Sequence, residues 1–179
     1  MEFLETERLR LRKLTLNDLE DIFKYSSDKE VTKYVTWEAH QSLDDSIRFL
    51  QFLHSQAKEN KMTQWGIEYK ETGRIIGSID FVSLYANDTI GEVGYILSRD
   101  YWNQGIITEA LKEVIQYGFY GLGLIRIEAR CTTENIGSAR VLEKAGMELE
   151  GITRKSFLMK NSYYDLKMYS ILKEEFRQS

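Results

Sequence analysis

The hydrophobic pattern of this chain changes period repeatedly, from the alternation of a strand to the spacing of a helix and back. Leu9 and Leu11 alternate with arginines, which predicts a first strand with one solvent-facing side. Two segments with helical spacing follow, and the second is predicted to run to about Asn60. Each helix is preceded by a pair of residues suited to capping its first turn, Thr15 with Asp18 and Ser42 with Asp45.

Strands and helices then alternate to the end of the sequence. The pattern predicts strands at residues 65–69, 75–82, 90–97, 125–129, 149–158 and 163–172, and helices at 106–119 and from Asn135 to a glycine stop at Gly146. Because helices interrupt the strands, we predict an α/β fold with a mixed sheet of about seven strands and helices on both faces. The length of 179 residues fits one domain, residues 1–179.

The composition narrows the classes of function. No stretch has the roughly 18 uninterrupted apolar residues of a membrane span, and residues 1–10 carry three glutamates where a secretion signal needs an apolar block, so we expect a cytoplasmic protein without a membrane partner. The lone Cys131 and two histidines predict neither a disulfide nor a metal site. A net charge of −4 disfavours nucleic acid and favours a cationic acceptor.

The most informative stretch is IGEVGYILSRDYWNQGIITEAL, residues 90–111. It predicts a strand, a polar turn with Gly105 and an immediate helix start. Such a junction aims free main-chain N–H groups and the positive end of a helix dipole at one point, which suits a pyrophosphate. Arg99 is the only cation nearby in sequence, so main-chain donors would make most contacts. An ordinary strand-to-helix turn explains the same residues.

Together with CTTENIGSARVLEKAGMELEG, this stretch resembles the GNAT acetyltransferases, in particular the RimJ/RimL branch that acetylates the amino termini of ribosomal proteins. The likeness runs from ETERLRLRKL to YYDLKMYSIL. In that family the first motif is Gln or Arg, two variable residues, Gly, one variable residue, then Gly or Ala. Here Trp102, Gly105 and Ile107 stand at those positions, and only Gly105 matches strictly.

The resemblance implies a mostly antiparallel mixed sheet with a splayed pair of strands at its centre. It implies acetyl-CoA as a small-molecule acyl donor, no metal, and a protein amino terminus as the amine acceptor. The family often forms homodimers, and the terminal hairpin could supply a pairing surface, but the sequence leaves the oligomeric state open. The residues it places along the pantetheine arm are Ile96, Leu97 and Ser98. Those it places around the pyrophosphate are Asn103, Gln104, Gly105, Ile106, Ile107 and Thr108.

A second motif of the family, Asn-x-x-Ser, is intact as Asn135 and Ser138. The resemblance implies that Asn135 bonds the amide groups of the arm and that Ser138 faces the departing sulfur as a catalytic residue. The plainer interpretation is that Asn135 caps a helix and Ser138 is a small packing residue.

Acyl transfer to an amine also needs a base, because only a neutral amine attacks. An α-amine has a pKa near 8 and a lysine side chain near 10.4, so a modest base suffices for an amino terminus. Glu92, on the strand before the turn, is our candidate for this second catalytic residue, and a salt-bridged or surface carboxylate is the alternative. Other hypotheses remain open: a polyamine or aminoglycoside acceptor, which the pair Asp44 and Asp45 would tolerate, or a CoA-binding module without turnover.

Two further groups look unsuited to nucleophilic chemistry. Cys131 follows an apolar strand with no histidine nearby in sequence, which predicts a buried small residue. His40 and His54 show no serine or cysteine constellation in the sequence, which disfavours a hydrolase.

Overall fold

The strands of the chain form one mixed sheet. The computed structural model describes residues 3–59 and 64–176. Its strands are β1 Leu4–Glu5, β2 Leu9–Arg12, β3 Gln64–Tyr69, β4 Arg74–Tyr85, β5 Ile90–Leu97, β6 Arg126–Thr132, β7 Glu148–Met159 and β8 Ser162–Leu172. They pair in the order β1-β2-β3-β4-β5-β6-β8-β7, antiparallel except between β5 and β6. The predicted fold class is confirmed, with β1 as an eighth strand too short to produce an alternating pattern.

The centre of the sheet is splayed, as the family resemblance implies. The parallel strands β5 and β6 pair only at Ile90 with Arg126, Gly91 with Ile127 and Glu92 with Glu128. Beyond these pairs, β5 remains paired with β4, and β6 remains paired with β8. The two strands therefore part, and we call the space between residues 93–97 of β5 and residues 129–132 of β6 the central gap.

In the described residues, four α-helices flank the sheet: α1 Leu19–Ser26, α2 Leu43–Glu59, α3 Ile106–Tyr120 and α4 Ile136–Lys144. Both predicted capping pairs are formed, since Asp18 accepts from the Thr15 N–H at 2.8 Å and Asp45 accepts from the Ser42 N–H at 2.9 Å. A short 3-10 helix, Leu16–Asp18, precedes α1. The predicted end of the second helix, Asn60, lies outside the described residues.

The helices bury two separate clusters of apolar side chains. Trp65, Phe81 and Phe119 belong to the larger cluster under α3 and α4, whereas Tyr25 and Leu50 belong to the smaller one under α1 and α2. Adjacent residues of β4, 75 and 76, enter different clusters, and successive side chains of a strand point to opposite faces. The sheet thus has an α1/α2 face and an α3/α4 face, as predicted.

Close packing on the α1/α2 face depends on a glycine. A Cβ on Gly66 of β3 would lie 2.3 Å from Leu14 Cδ2 and 3.2 Å from Ile75 Cδ1. Only a residue without a side chain lets Leu14 settle onto the sheet here. Within residues 3–59 and 64–176, no helix is both long enough and apolar enough to cross a bilayer.

Candidate active site

The turn after β5 presents a row of main-chain donors. A short 3-10 helix ends at Tyr101, and α3 begins at Ile106 with Gly105 as its N-cap at φ 74°. Asn103 is also left-handed, at φ 60°. After this turn, the first main-chain N–H group with a hydrogen-bond acceptor in the protein is that of Glu109, which donates to the Gly105 carbonyl at 3.0 Å. In the described parts of the chain, the N–H groups of residues 103–108 meet no protein acceptor. This turn can therefore bind an anion.

An arginine from near the amino terminus lies beside this turn. Arg8 Nη1 donates to the Gln104 carbonyl at 3.0 Å, and Arg8 Nε lies 2.7 Å from Glu109 Oε2. A Cβ built on Gly105 would meet only Arg8 Nη2, at 3.7 Å, so the surface over the turn is open. Arg99, the cation expected from sequence proximity, instead pairs with Asp28 at 3.0 Å.

Glu109, in the first turn of α3, joins this arginine to the helix. Its Oε1 accepts from the Thr6 hydroxyl at 2.5 Å and from the Arg8 N–H at 2.9 Å. Burial pushes the pKa of Glu109 upward, but these hydrogen bonds and the guanidinium outweigh it and hold the pKa below its ordinary value. Because the contacts span about 100 positions, no local pattern in the sequence predicts them.

The edge of β5 offers fewer main-chain groups than the resemblance implies. Ser98 N–H donates to the Ile76 carbonyl at 2.7 Å, so in the antiparallel ladder the peptide groups of Ile96 also point to β4. Those of Tyr95 and Leu97 point into the central gap. The Leu97 carbonyl accepts from the Trp102 indole at 2.9 Å. Of residues 96–98, only Leu97 therefore keeps a main-chain donor facing the gap.

Asn135 and Ser138 meet at the start of α4. The Ser138 N–H donates to Asn135 Oδ1 at 3.1 Å, so Asn135 caps the helix as the plainer interpretation predicts. The Ser138 hydroxyl is more than a packing group, because its Oγ lies 2.8 Å from the hydroxyl of Tyr95. Burial raises the pKa of Tyr95, so its phenol stays protonated. The structure thus places a hydrogen-bonded pair of hydroxyls on the α3/α4 face of the gap.

Glu92 lies on the opposite face and is engaged by a cation. Its Oε1 is 2.7 Å from Arg130 Nε of β6, and its Oε2 accepts from the Ser83 hydroxyl at 3.5 Å. The predicted salt-bridged carboxylate is therefore present. A role in proton transfer would require Glu92 to act from within this ion pair.

Two groups that looked unsuited to nucleophilic chemistry also have definite positions. Cys131 is buried, as expected, and burial raises the pKa of its thiol. The expectation that His40 has no serine partner is wrong, because Ser46 Oγ lies 2.9 Å from His40 Nδ1. Both side chains are buried within the protein, and burial lowers the pKa of His40. The contact stabilises the loop before α2 and offers no nucleophile to a substrate.

A cleft opens between the loop that joins α1 to α2 and the turn that joins β7 to β8. It has a volume of about 530 Å³ and is lined by Lys29, Thr32, Lys33, Glu38, Ala39, Gln41 and Lys160. Lys160 Nζ donates to the Thr32 carbonyl at 2.7 Å, and the Tyr34 hydroxyl donates to the Glu134 carbonyl at 3.4 Å. These bonds place the cleft next to the start of α4.

Known proteins resemble this chain in both sequence and structure. The family described as acetyltransferase (GNAT) domain matches residues 8–148. The Bacillus subtilis (strain 168) protein named uncharacterized N-acetyltransferase YoaA is 38% identical over 170 residues, covering 95% of this chain and 96% of that one. A GNAT-family acetyltransferase structure from Bacillus anthracis superposes with a TM-score of 0.86 at 31% identity, covering 97% and 99% of the two chains.

A more distant relative has a named substrate. The ribosomal-protein-serine acetyltransferase of Escherichia coli (strain K12) is 24% identical over 176 residues, covering 92% of this chain and 93% of that protein.

Proposed function

This chain belongs to the GNAT acetyltransferases and is an acetyl-CoA-dependent N-acetyltransferase, and we propose that its acceptor is the amino terminus of a protein or peptide. The whole chain, residues 1–179, would work as one acetyltransferase domain, since all described strands share a single sheet. The observation that carries donor binding is the row of unpaired amides at residues 103–108, in the turn that follows β5.

The residues of the turn fit the donor. The N–H groups of Asn103, Gln104, Gly105, Ile106, Ile107 and Thr108 would hold the pyrophosphate, with the helix dipole of α3 adding to their attraction. The left-handed Gly105 lets an anion approach the backbone. Leu97 and the amide nitrogen of Asn135 would bond the pantetheine arm in the central gap. Acetyl-CoA supplies a thioester activated toward amines.

The chain's own groups would then act on both sides of that thioester. The N–H groups of Tyr95 and Leu97 face the gap and can stabilise the negative charge that develops on the acyl oxygen. Ser138, hydrogen-bonded to Tyr95, can donate to the departing sulfur. A thiol has a reference pKa near 8.5, so this donor need not be a strong acid.

A carboxylate would collect the proton of the amine. The sequence indicates Glu92 for this step, directly or through water, but Glu92 would have to act from within its ion pair with Arg130. An amino terminus suits such a site better than lysine, because deprotonating lysine at neutral pH costs roughly 3 kcal/mol more.

The relative that acetylates a ribosomal protein supports a protein acceptor, and the lysines of the cleft beside α4 disfavour a polycation. The argument for a polyamine acceptor from the pair Asp44 and Asp45 is weakened as well. Asp45 already accepts from the main chain of Gln41 and Ser42 and pairs with Arg48.

The acceptor can be identified by measuring release of the CoA thiol. We expect turnover with peptides that have a free amino terminus and little turnover with spermidine or an aminoglycoside. The same peptides with a blocked amino terminus and an internal lysine are the matched control. Faster turnover with a polyamine than with any free amino terminus would contradict the proposed acceptor.

A homodimer paired through the terminal hairpin remains part of the proposal. β7 is an edge strand, and Leu149, Ile152 and Leu158 on it are each about half exposed. Unpaired edges with apolar side chains favour pairing with another chain.

A further inference from the structure

A carboxyl group that the sequence did not single out lies beside the central gap. Asp80 of β4 pairs with Gly94 of β5, and its Oδ1 lies 3.5 Å from the point that a Cβ on Gly94 would occupy. Because Gly94 has no side chain, the Asp80 carboxyl lies against the backbone of β5, and Val82 Cγ1 approaches the same point to 2.9 Å. Gly94 is two residues beyond the last residue of β5 that pairs with β6, Glu92, so this point is where the two strands part.

The two faces of the sheet carry complementary groups at this point. Gly94 and Tyr95 are neighbours in a strand, so their side-chain positions lie on opposite faces. Tyr95 contacts Ser138 on the α3/α4 face, at 2.8 Å, and Asp80 lies on the α1/α2 face. A thioester held in the gap would have the hydroxyl pair on one side and the Asp80 carboxyl on the other.

Asp80 is less engaged than Glu92. Both oxygens of Glu92 have partners, Arg130 and Ser83. Among the described residues, Asp80 has no hydrogen-bond donor or cation as partner. Burial raises the pKa of Asp80 to about 7, and the nearby negative charge of Glu92 adds to the effect. A general base works best when its pKa lies near the working pH.

The described residues around Asp80 are consistent with this behaviour. β5 contributes Glu92, and Arg130 of β6 lies beyond it, paired to the far carboxylate. From α1 the buried phenol of Tyr25 faces Asp80, and burial raises the pKa of that phenol, so it carries no charge at neutral pH. β3 contributes the uncharged Gln64.

We propose that Asp80 is the catalytic carboxylate that takes the proton from the attacking amine. As the nitrogen forms its bond to the acyl carbon and loses its proton to Asp80, the carbon–sulfur bond breaks and the thiolate leaves with a hydrogen bond from Ser138. Asp80 then returns the proton to water. Glu92 stays paired with Arg130 and acts as a positioning residue, because its charge favours protonation of Asp80. This inference rests on the proposed function.

The dependence of kcat on pH separates the two carboxylates. With a peptide beginning in serine as acceptor, the unmodified protein should lose activity below about pH 7. Asp80→Asn should lower kcat about 100-fold or more at pH 7 and remove the limb that is due to the enzyme, leaving only the titration of the acceptor amine near pH 8. Glu92→Gln should keep the limb and move it to lower pH, because a neighbouring negative charge is gone. Loss of the limb in Glu92→Gln, with the limb kept in Asp80→Asn, would overturn the proposal.

A control variant and an NMR titration complete the test, and the titration does not depend on the acceptor. Glu113→Gln is the matched control, since burial also raises the pKa of Glu113 on α3, away from the gap, and its kcat profile should not change. Titration of the carboxyl carbons by NMR should show an aspartate with a pKa near 7 that is missing in Asp80→Asn. An ordinary value for Asp80 would refute its role even if the protein acetylates amines. Activity with no peptide, together with the raised value, would instead contradict the proposed acceptor.

Discussion

Replacing Glu109 by Gln tests whether its contact with Thr6 and Arg8, near the amino terminus, holds the donor-binding turn. The substitution keeps the shape of the side chain but removes the charge that Arg8 and the Thr6 hydroxyl contact at 2.7 and 2.5 Å. Breaking a buried ion pair costs 3–5 kcal/mol, but Arg8 is 36% exposed, so solvent screening reduces the loss. We therefore expect about 2 kcal/mol.

That loss converts to a measurable thermal shift. At about 2.1 cal/mol/K per residue, 179 residues unfold with an entropy of about 0.4 kcal/mol/K, so the Tm at pH 7 should fall by about 5 °C. Since Arg8 also holds the Gln104 carbonyl, the Kd for CoA should rise several-fold. The assay is a thermal melt with and without CoA, and Glu113→Gln on the same helix is the control.

The effect should also depend on pH in a defined direction. The pKa of Glu109 is lowered in the folded protein, so its stabilising contribution is present above the ordinary value near 4.5 and is lost as the pH falls through the lowered one. The difference in Tm between Glu109→Gln and the unmodified protein should therefore shrink toward pH 4. An equal difference at pH 4 and pH 7, or an unchanged Tm and Kd, would refute the reasoning.

Two glycine substitutions should both lower the stability of the fold, but only one of them should weaken CoA binding. Gly105→Ala adds a methyl group at a left-handed residue over an open surface, which should cost about 1–2 kcal/mol and weaken CoA binding, because the methyl lies where the anion approaches. Gly66→Ala forces a Cβ against Leu14 and should cost about 1–3 kcal/mol, yet leave the Kd for CoA unchanged. A Gly105→Ala variant with full affinity for CoA, or a Gly66→Ala variant as stable as the unmodified protein, would show that the respective contact is unimportant.

Local patterns in the sequence predicted the elements well because their causes are local. Asn135 caps α4 through the N–H three residues on, and Gly146 takes a left-handed conformation at φ 91° after that helix. The alternation of apolar residues located β3 to β8, while β1 has only two residues and gives no periodic signal.

The candidate site was predictable only where one segment carries it. The turn at residues 103–108 follows its own strand and precedes its own helix, so its main-chain donors could be inferred. Arg8 reaches Gln104 across 96 positions, and Asp80 gains its place from pairing with Gly94, which no spacing in the sequence encodes. Tyr95 lies within the predicted strand, but its contact with Ser138 depends on how α4 packs.

The gap at the centre of the sheet also makes the protein two half-sheets joined at a narrow seam. Only three residue pairs join β5 to β6, so the half-sheet of β1 to β5 and the half-sheet of β6 to β8 share few pairings. A molecule bound between them would supply contacts that the separated strands do not make, and it would hold the two half-sheets together. Ligand binding at the start of α3 would then slow the opening of the whole sheet, including β8.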